Sequence, residues 1–380
     1  MKLVHGTPGG IPQREIKQQS EFTQFTTRYE PETGSIWCWM QPEPRPCLNA
    51  ALIEELFQLQ QQLSTTYNKQ ESGVVWPFRH LVLASKIPGI YNLGGDLELF
   101  KQCITDGDKK TLRAYAYKTI DLMIRNINNL DLPISTVSLV QGQALGGGFE
   151  MALSCDAIIA ERSSRLGFPE ILFNLFPGMG AYNLLARRVG PALAERIILS
   201  GGTYTAGELY DMGVIDVLAE DGEGILATKD YMNSHNQSHN TIRAMKKIRQ
   251  IVHPITKESF YDIVDIWVEA AMDLSEKDLA KMDRLLQLQK DTKNSKTIRE
   301  QNTEKIPRHG EWRKITDVEF PLTTHLGESV AENRRKSDGR RRPDAVTENC
   351  LLYTSPSPRD HLAHRVCRLL LEKGGGGGGG

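Results

Sequence analysis

Two glutamates, Glu150 and Glu170, stand twenty positions apart in QGQALGGGFEMALSCDAIIAERSSRLGFPEILFNLFPGMG, which also carries Gly146, Gly147 and Gly148. Two carboxylates brought to one carbon framework can take a proton at one atom and give one at the next. Removing a proton beside a thioester carbonyl leaves negative charge on the carbonyl oxygen. Fixed main-chain N–H groups aimed at that oxygen hold the charge, and losing one typically costs ~3–4 kcal/mol of transition-state stabilisation. Glycine suits such positions because no Cβ blocks the approach of substrate to backbone. A second cluster, Gly94-Gly95, offers the same opportunity.

Taken singly, each feature has an ordinary reading. Glycine clusters make tight strand-to-helix turns. Glu150 opens a mostly apolar helix (Phe149, Met151, Ala152, Leu153), where the helix dipole favours an acid. Glu170 lies between Phe168-Pro169 and Ile171-Leu172-Phe173. A carboxylate in that company is paired or functional, since unpaired burial is costly. The combination favours chemistry.

The elements that must position these residues alternate between strand and helix, which defines an α/β core. FTQFTTRYE-PETG-SIWCWMQ reads as a β-hairpin, with Pro31 and Gly34 in the turn. LNAALIEELFQLQQQL is apolar at Leu48, Leu52, Leu56, Leu59 and Leu63, the period of an amphipathic helix. FRHLVLAS reads as a strand, IPGIYNLGGD as a loop, and DKKTLRAYAYKTIDLMIRNINNL as a helix. ISTVSLVQG and DAIIAE are strands flanking the helix GGGFEMALSC. Short helices follow Pro177 (AYNLLARRVG, PALAERIILSG, and AGELYDMG capped by Thr205), then a last strand, VIDVLAE. A helical region runs from about 240 to 289. The expected organisation is a flexible arm over 1–20, a core over 21–239, and a helical lid or oligomerisation region over 240–290.

The chain has 380 residues, is 39% hydrophobic and carries a net charge of −1. That composition is ordinary for a globular protein, and gives no overall field toward nucleic acid or anionic membrane. No run of eighteen apolar residues points to a membrane span, and the start, MKLVHGTPGG, lacks an apolar signal stretch. A cytoplasmic location is expected, with Cys38, Cys47, Cys103 and Cys155 reduced. His235 and His239 in NSHNQSHN are read as loop residues without a third ligand, so no metal is expected. His80 is read as a core histidine, and Asn236-Gln237-Ser238 as a chance sequon. Lys246, Lys247 and Arg249 form a basic face, solvated or turned to an acidic carrier protein. Residues 291–349 are polar and read as disordered or out of frame. CLLYTSPSPRDHLAHRVCRLLLEKGGGGGGG (350–380) resembles the conceptual translation of a sequencing-library adapter.

LGGGFEMALSCDAIIA followed by LGFPEILFNLFPGMGA resembles the signature of the crotonase (enoyl-CoA hydratase/isomerase) superfamily, and YNLGGDLELF resembles its first oxyanion loop. The resemblance runs from about 22 to 289. It implies a spiral of ββα units with a C-terminal helical region, assembled as a homotrimer or a dimer of trimers. It also implies that Gly95 and Gly147 supply oxyanion N–H groups and that Glu150 and Glu170 are the catalytic carboxylates. No cofactor is implied beyond a substrate linked to CoA or to an acyl carrier protein. Two departures weaken a β-oxidation role. Leu93-Gly94-Gly95-Asp96 replaces the usual A-G-A-D loop, and Ala181-Tyr182-Asn183 replaces the usual Thr-Gln-Arg.

Together with the late IWVEAAMDLSEKDLAKMDRL, these stretches look like the bacterial diffusible-signal-factor synthases. That branch implies dehydration of a 3-hydroxyacyl thioester and hydrolysis to a free cis-2-unsaturated acid used in quorum sensing. An apolar tunnel is then needed, with Leu145, Met179, Trp267 and Leu285 as lining candidates, each also readable as core. Two alternatives stay open: an enoyl-CoA hydratase of fatty-acid metabolism, and a binding protein for the regulatory domain of a sensor kinase.

Overall fold

The computed structural model describes residues 22–68 and 78–290. The readings made for 1–20, 291–349 and 350–380 lie outside the described residues. In chain order the elements are β1 (Phe25–Glu30), β2 (Ser35–Met40), α1 (Ala50–Asn68), β3 (His80–Ser85), β4 (Gly89–Asn92), α2 (Leu97–Asp106) and α3 (Lys109–Ile127). There follow β5 (Ser135–Val140), β6 (Gly142–Leu145), α4 (Gly147–Leu153), β7 (Ala157–Glu161), β8 (Arg165–Gly167), α5 (Ala181–Val189) and α6 (Pro191–Leu199). The last are β9 (Thr203–Thr205), α7 (Ala206–Asp211), β10 (Val217–Ala219), α8 (Gly224–Gln237), α9 (His239–Val252), α10 (Lys257–Met272) and α11 (Glu276–Lys290).

The strands sort into two sheets. One has the order β1-β2-β3-β5-β7-β10, the other β4-β6-β8-β9. Each successive strand pair, β3–β4, β5–β6 and β7–β8, gives its first strand to the larger sheet and its second to the smaller. Neighbours within these runs are parallel. This is the repeating ββα spiral of the crotonase fold. The central strands β5 and β7 are buried at every residue, which explains their unbroken apolar runs. β1, at the edge, buries Phe25 and exposes Thr26, Thr27 and Arg28.

The hairpin forms in the register expected, Glu30 opposite Ser35. Thr205 caps α7 in a full capping box with Glu208. Four short strands, β4, β6, β8 and β9, differ from the expectation. β4 lies inside the segment read as loop, and β6 and β8 are three or four residues long beside glycines. Such strands are too brief to show an alternating period. α2 and α8 were likewise not anticipated. NSHNQSHN is not a loop: α8 runs to Gln237 and α9 starts at His239. The late helical region is three helices, α9 to α11, with Thr256 capping α10 through the Ser259 amide (3.2 Å).

α10 buries Phe260, Val264, Trp267, Val268 and Ala271 and packs on α3, where Asp265 accepts from Arg113 Nε (2.7 Å) and Tyr117 Oη (2.9 Å). Lys246 is not part of a free basic face. Its Nζ donates to Asp156 Oδ2 (2.5 Å), Ser135 Oγ and Ile134 O (both 3.0 Å), pinning α9 to the larger sheet. His80 is a buried core residue, its Nε2 at 3.1 Å from Asn236 Oδ1.

Candidate active site

The smaller sheet sets the geometry. β4, β6 and β8 are parallel neighbours, and the chain leaves each C-terminal end into a segment that carries one chemical part. After β4 come Leu93, Gly94 and Gly95. After β6 come Gly146 and Gly147, then α4 with Glu150. After β8 comes a 3-10 turn, Pro169–Phe173, with Glu170 in its first positions. Adjacent parallel strands lie about 4.8 Å apart, so the three ends converge without a long loop.

Glycine is required at two of these exits. Gly94 has φ +95°, and a Cβ there would stand 2.9 Å from Leu145 O. Gly146 has φ +50°, and a Cβ there would strike Glu170 Oε1. Close approach also holds Gly95 beside Gly147: a Cβ on Gly147 would lie 3.3 Å from Gly95 N.

The main-chain donors of these loops are nearly all engaged. Leu93 N–H donates to Pro46 O (2.8 Å), Gly94 N–H to Asn92 Oδ1 (2.9 Å) and Gly146 N–H to Gly167 O (2.9 Å). The N–H groups of Gly95 and Gly147 have no acceptor among the described residues. Gly147 is the first residue of α4, where the amide has no partner within the helix. The two residues with unspent amides are neighbours and line the same cleft.

Glu150 sits in α4 with 1% exposure, among residues that are all buried. Its Oε1 accepts from Met179 N (2.8 Å) and Ala181 N (2.9 Å). Burial pushes its carboxyl up to about 7, and these two hydrogen bonds pull against that by favouring the charged form. Glu170 is partly exposed as a residue, yet its Oε2 is out of solvent contact and unpartnered. Burial first, and then the charge of Glu150, push its carboxyl up to about 8. The two amides on Glu150 favour its charged form, while burial and the neighbouring charge favour the neutral form of Glu170.

Glu150, Glu170, Gly95, Gly147, Leu145, Met179, Trp267 and Leu285 all line one cleft with about 740 Å³ of empty space, part of it open to solvent. All eight residues singled out from the sequence are thus brought together. The rest of the wall is mainly apolar, including Leu97, Phe100, Phe173 and Leu175. Trp267 packs edge-on to Phe100 with ring centroids 5.1 Å apart. Two polar wall residues were not anticipated, Gln143 and Gln289. The signal for Gln289 was present: it occupies the buried stripe Met282, Leu286, Gln289 of α11, where a polar side chain must have a reason.

Among the described residues no group of three or more His, Cys, Asp or Glu could hold a metal ion. None of their helices is long and apolar enough to cross a membrane. The four cysteines Cys38, Cys47, Cys103 and Cys155 are free and buried.

Fold and cleft together define a crotonase-type protein, whose mainly apolar cavity is lined by two carboxyls and two glycines with unspent amides. The chain belongs to the enoyl-CoA hydratase/isomerase family, whose sequence model it matches over residues 39–258. It is similar to the mitochondrial methylglutaconyl-CoA hydratase of Mus musculus, 31% identical over 149 residues, 38% of this chain and 45% of that protein. It is also similar to the enoyl-CoA isomerase/hydratase fer4 of Mycosarcoma maydis, 30% identical over 180 residues, 47% of this chain and 62% of that one. The chain thus spans less than two thirds of the length of these curated relatives. Among solved structures, an enoyl-CoA hydratase from Bacillus halodurans superposes with a TM-score of 0.58 at 21% identity, covering 70% of this chain and 100% of that one. Pseudomonas aeruginosa DspI superposes with a TM-score of 0.54 at 23% identity, covering 65% and 87%. At these identities the two structures speak for the fold alone.

Proposed function

We propose that the protein dehydrates a 3-hydroxyacyl thioester carried on acyl carrier protein and then hydrolyses the resulting 2-enoyl thioester to a free cis-2-unsaturated acid, a quorum-sensing signal. The observation that carries this reading is one apolar cleft lined by two carboxyls of raised pKa and two unspent glycine amides. The late helical motif and the two departures from the usual hydratase pattern support this branch over fatty-acid degradation.

Gly95 and Gly147 N–H groups hold the thioester oxygen. Glu170 as carboxylate takes the α-proton, and the charge passes to that oxygen. The C3–O bond then breaks, and Glu150 as carboxylic acid supplies the proton that lets the hydroxyl leave as water. Dehydration so moves one proton from Glu150 to Glu170, the arrangement the cleft favours.

Hydrolysis runs the proton back. Glu150, now a carboxylate beside water, takes a proton from it as the oxygen attacks the carbonyl carbon. The two amides hold the tetrahedral oxyanion. When the C–S bond breaks, Glu170 protonates the departing sulfur. The pair ends with the proton on Glu150 and charge on Glu170, ready for the next dehydration. Two half-reactions that each move the proton oppositely close a cycle without outside acid or base.

A second reading has its own support. Two amides on Glu150 Oε1 and an unpartnered, buried Glu170 Oε2 favour charge on Glu150 and a proton on Glu170, the arrangement from which hydration of an enoyl-CoA begins. Mass spectrometry separates the two. Full-length protein incubated with a 3-hydroxyacyl carrier protein is expected to release free 2-enoic acid. Rapid hydration of crotonyl-CoA, with no free acid from either substrate, overturns the synthase reading in favour of the hydratase.

A further inference from the structure

The Leu93–Gly95 loop has three carbonyls, and all are spoken for. Gly94 O accepts from Leu48 N (2.7 Å). Leu93 O and Gly95 O both accept from one side chain, the amide nitrogen of Gln289, at 3.0 and 2.9 Å. Gln289 comes from α11, nearly two hundred positions along the chain, and is 2% exposed. Two converging carbonyls demand a two-proton donor, so the nitrogen and not the oxygen of this side chain must face them. Its Oε1 is buried and unpartnered at the cleft wall.

The rest of α11 delivers Gln289 to that spot. Met282 and Leu286 are buried against the core. Asp283 accepts from Lys101 (2.7 Å) and Lys290 donates to Glu98 (2.9 Å), both on α2, which the loop leads into. At the other end of the helix, Asp278 Oδ2 accepts from Asn174 (3.5 Å), at the end of the turn that bears Glu170.

We propose that Gln289 is a positioning residue for the reaction: by gripping the carbonyls on both sides of Gly94–Gly95, it keeps the Gly95 N–H turned into the cleft. The oxyanion site is then complete only when α11 is docked. This rests on the functional reading above, in which Gly95 N–H holds the substrate oxygen. A donor that acts on developing charge affects the transition state more than substrate binding, so its misalignment lowers kcat and leaves KM nearly unchanged.

The test uses the full chain with Gln289→Leu and Gln289→Glu, assayed with crotonyl-CoA and with a 3-hydroxyacyl carrier protein. The expected result for Gln289→Leu is a loss in kcat of about 10- to 100-fold, with KM changed by less than about threefold. Amide hydrogen exchange over residues 93–97 is expected to quicken in the same variant. Gln289→Glu is expected to regain part of its lost activity relative to wild type as pH falls from 8 to 5.5, because its protonated carboxyl can donate to one of the two carbonyls and its carboxylate to neither. Unchanged exchange in Gln289→Leu, or quickened exchange with wild-type kcat, overturns the proposal. A wild-type protein that turns over neither substrate overturns the functional reading itself, and the catalytic role of Gln289 falls with it. In that case the exchange measurement still reports whether the clamp holds the loop.

Discussion

Glu150 and Glu170 differ in what surrounds their oxygens more than in how deeply they lie. Two amides fall on Glu150 Oε1, while Glu170 Oε2 has neither donor nor solvent. Replacing either by alanine is expected to lower kcat by ~10²-fold or more, since a positioned acid or base contributes ~10²–10⁴-fold; steady-state kinetics on purified variants checks it. Below both pKa values the pair holds two protons and has no base; above both it holds none and has no acid. The rate is therefore expected to be bell-shaped in pH, with flanks near the values of about 7 and about 8. Stability follows a different sign. Because the folded-state value of Glu170, about 8, lies above its ordinary 4.5, the folded protein holds that proton more tightly, and stability falls as pH rises from 4.5 to about 8. Glu170→Gln is thus expected to melt higher than wild type at pH 8, with the gap narrowing at pH 5, in a calorimetric scan.

At the level of elements, the exits from β4, β6 and β8 tolerate almost no added volume. A Cβ on Gly148 would run into the main chain of Asn92, which forces α4 away from β4. Gly148→Ala is expected to cost about 1–3 kcal/mol or more, read by denaturant unfolding. The long or strongly periodic elements were legible in the sequence: the hairpin, α1, α3, the buried strands β5 and β7, and the capped α7. The smaller sheet was not, because four residues between glycines carry no period to read. Its consequence was nonetheless visible, since the glycines and glutamates that mark the strand ends are the motif itself. Gln289 shows the opposite case. Its stripe on α11 could be read, but its partners are two carbonyls that no side-chain pattern reveals.

For the molecule as a whole, the proton cycle makes a claim about water. If the water expelled in dehydration is the one Glu150 activates, a substrate labelled with ¹⁸O at the 3-hydroxyl is expected to yield a free acid bearing that label in its carboxyl group. Mass spectrometry of the product decides, and label found only in bulk water breaks the link between the two steps. We propose that assembly uses an apolar surface of α9. Met245, Ile248, Ile251 and Val252 of α9 are exposed. Light scattering is expected to return the trimer or dimer of trimers implied by the family signature. Substituting acids at Ile248 and Ile251 is expected to reduce it to single chains.

Three adjacent strand ends each deliver a separate instrument: one amide from the first, a second amide with an acid from the next, the other acid from the third. Such a layout lets heredity edit the toolkit piecemeal. Under the proposed mechanism, a lineage that neutralised the third exit would forfeit proton removal yet still polarise an acyl carbonyl, leaving a working scaffold on which some different reaction could be grown.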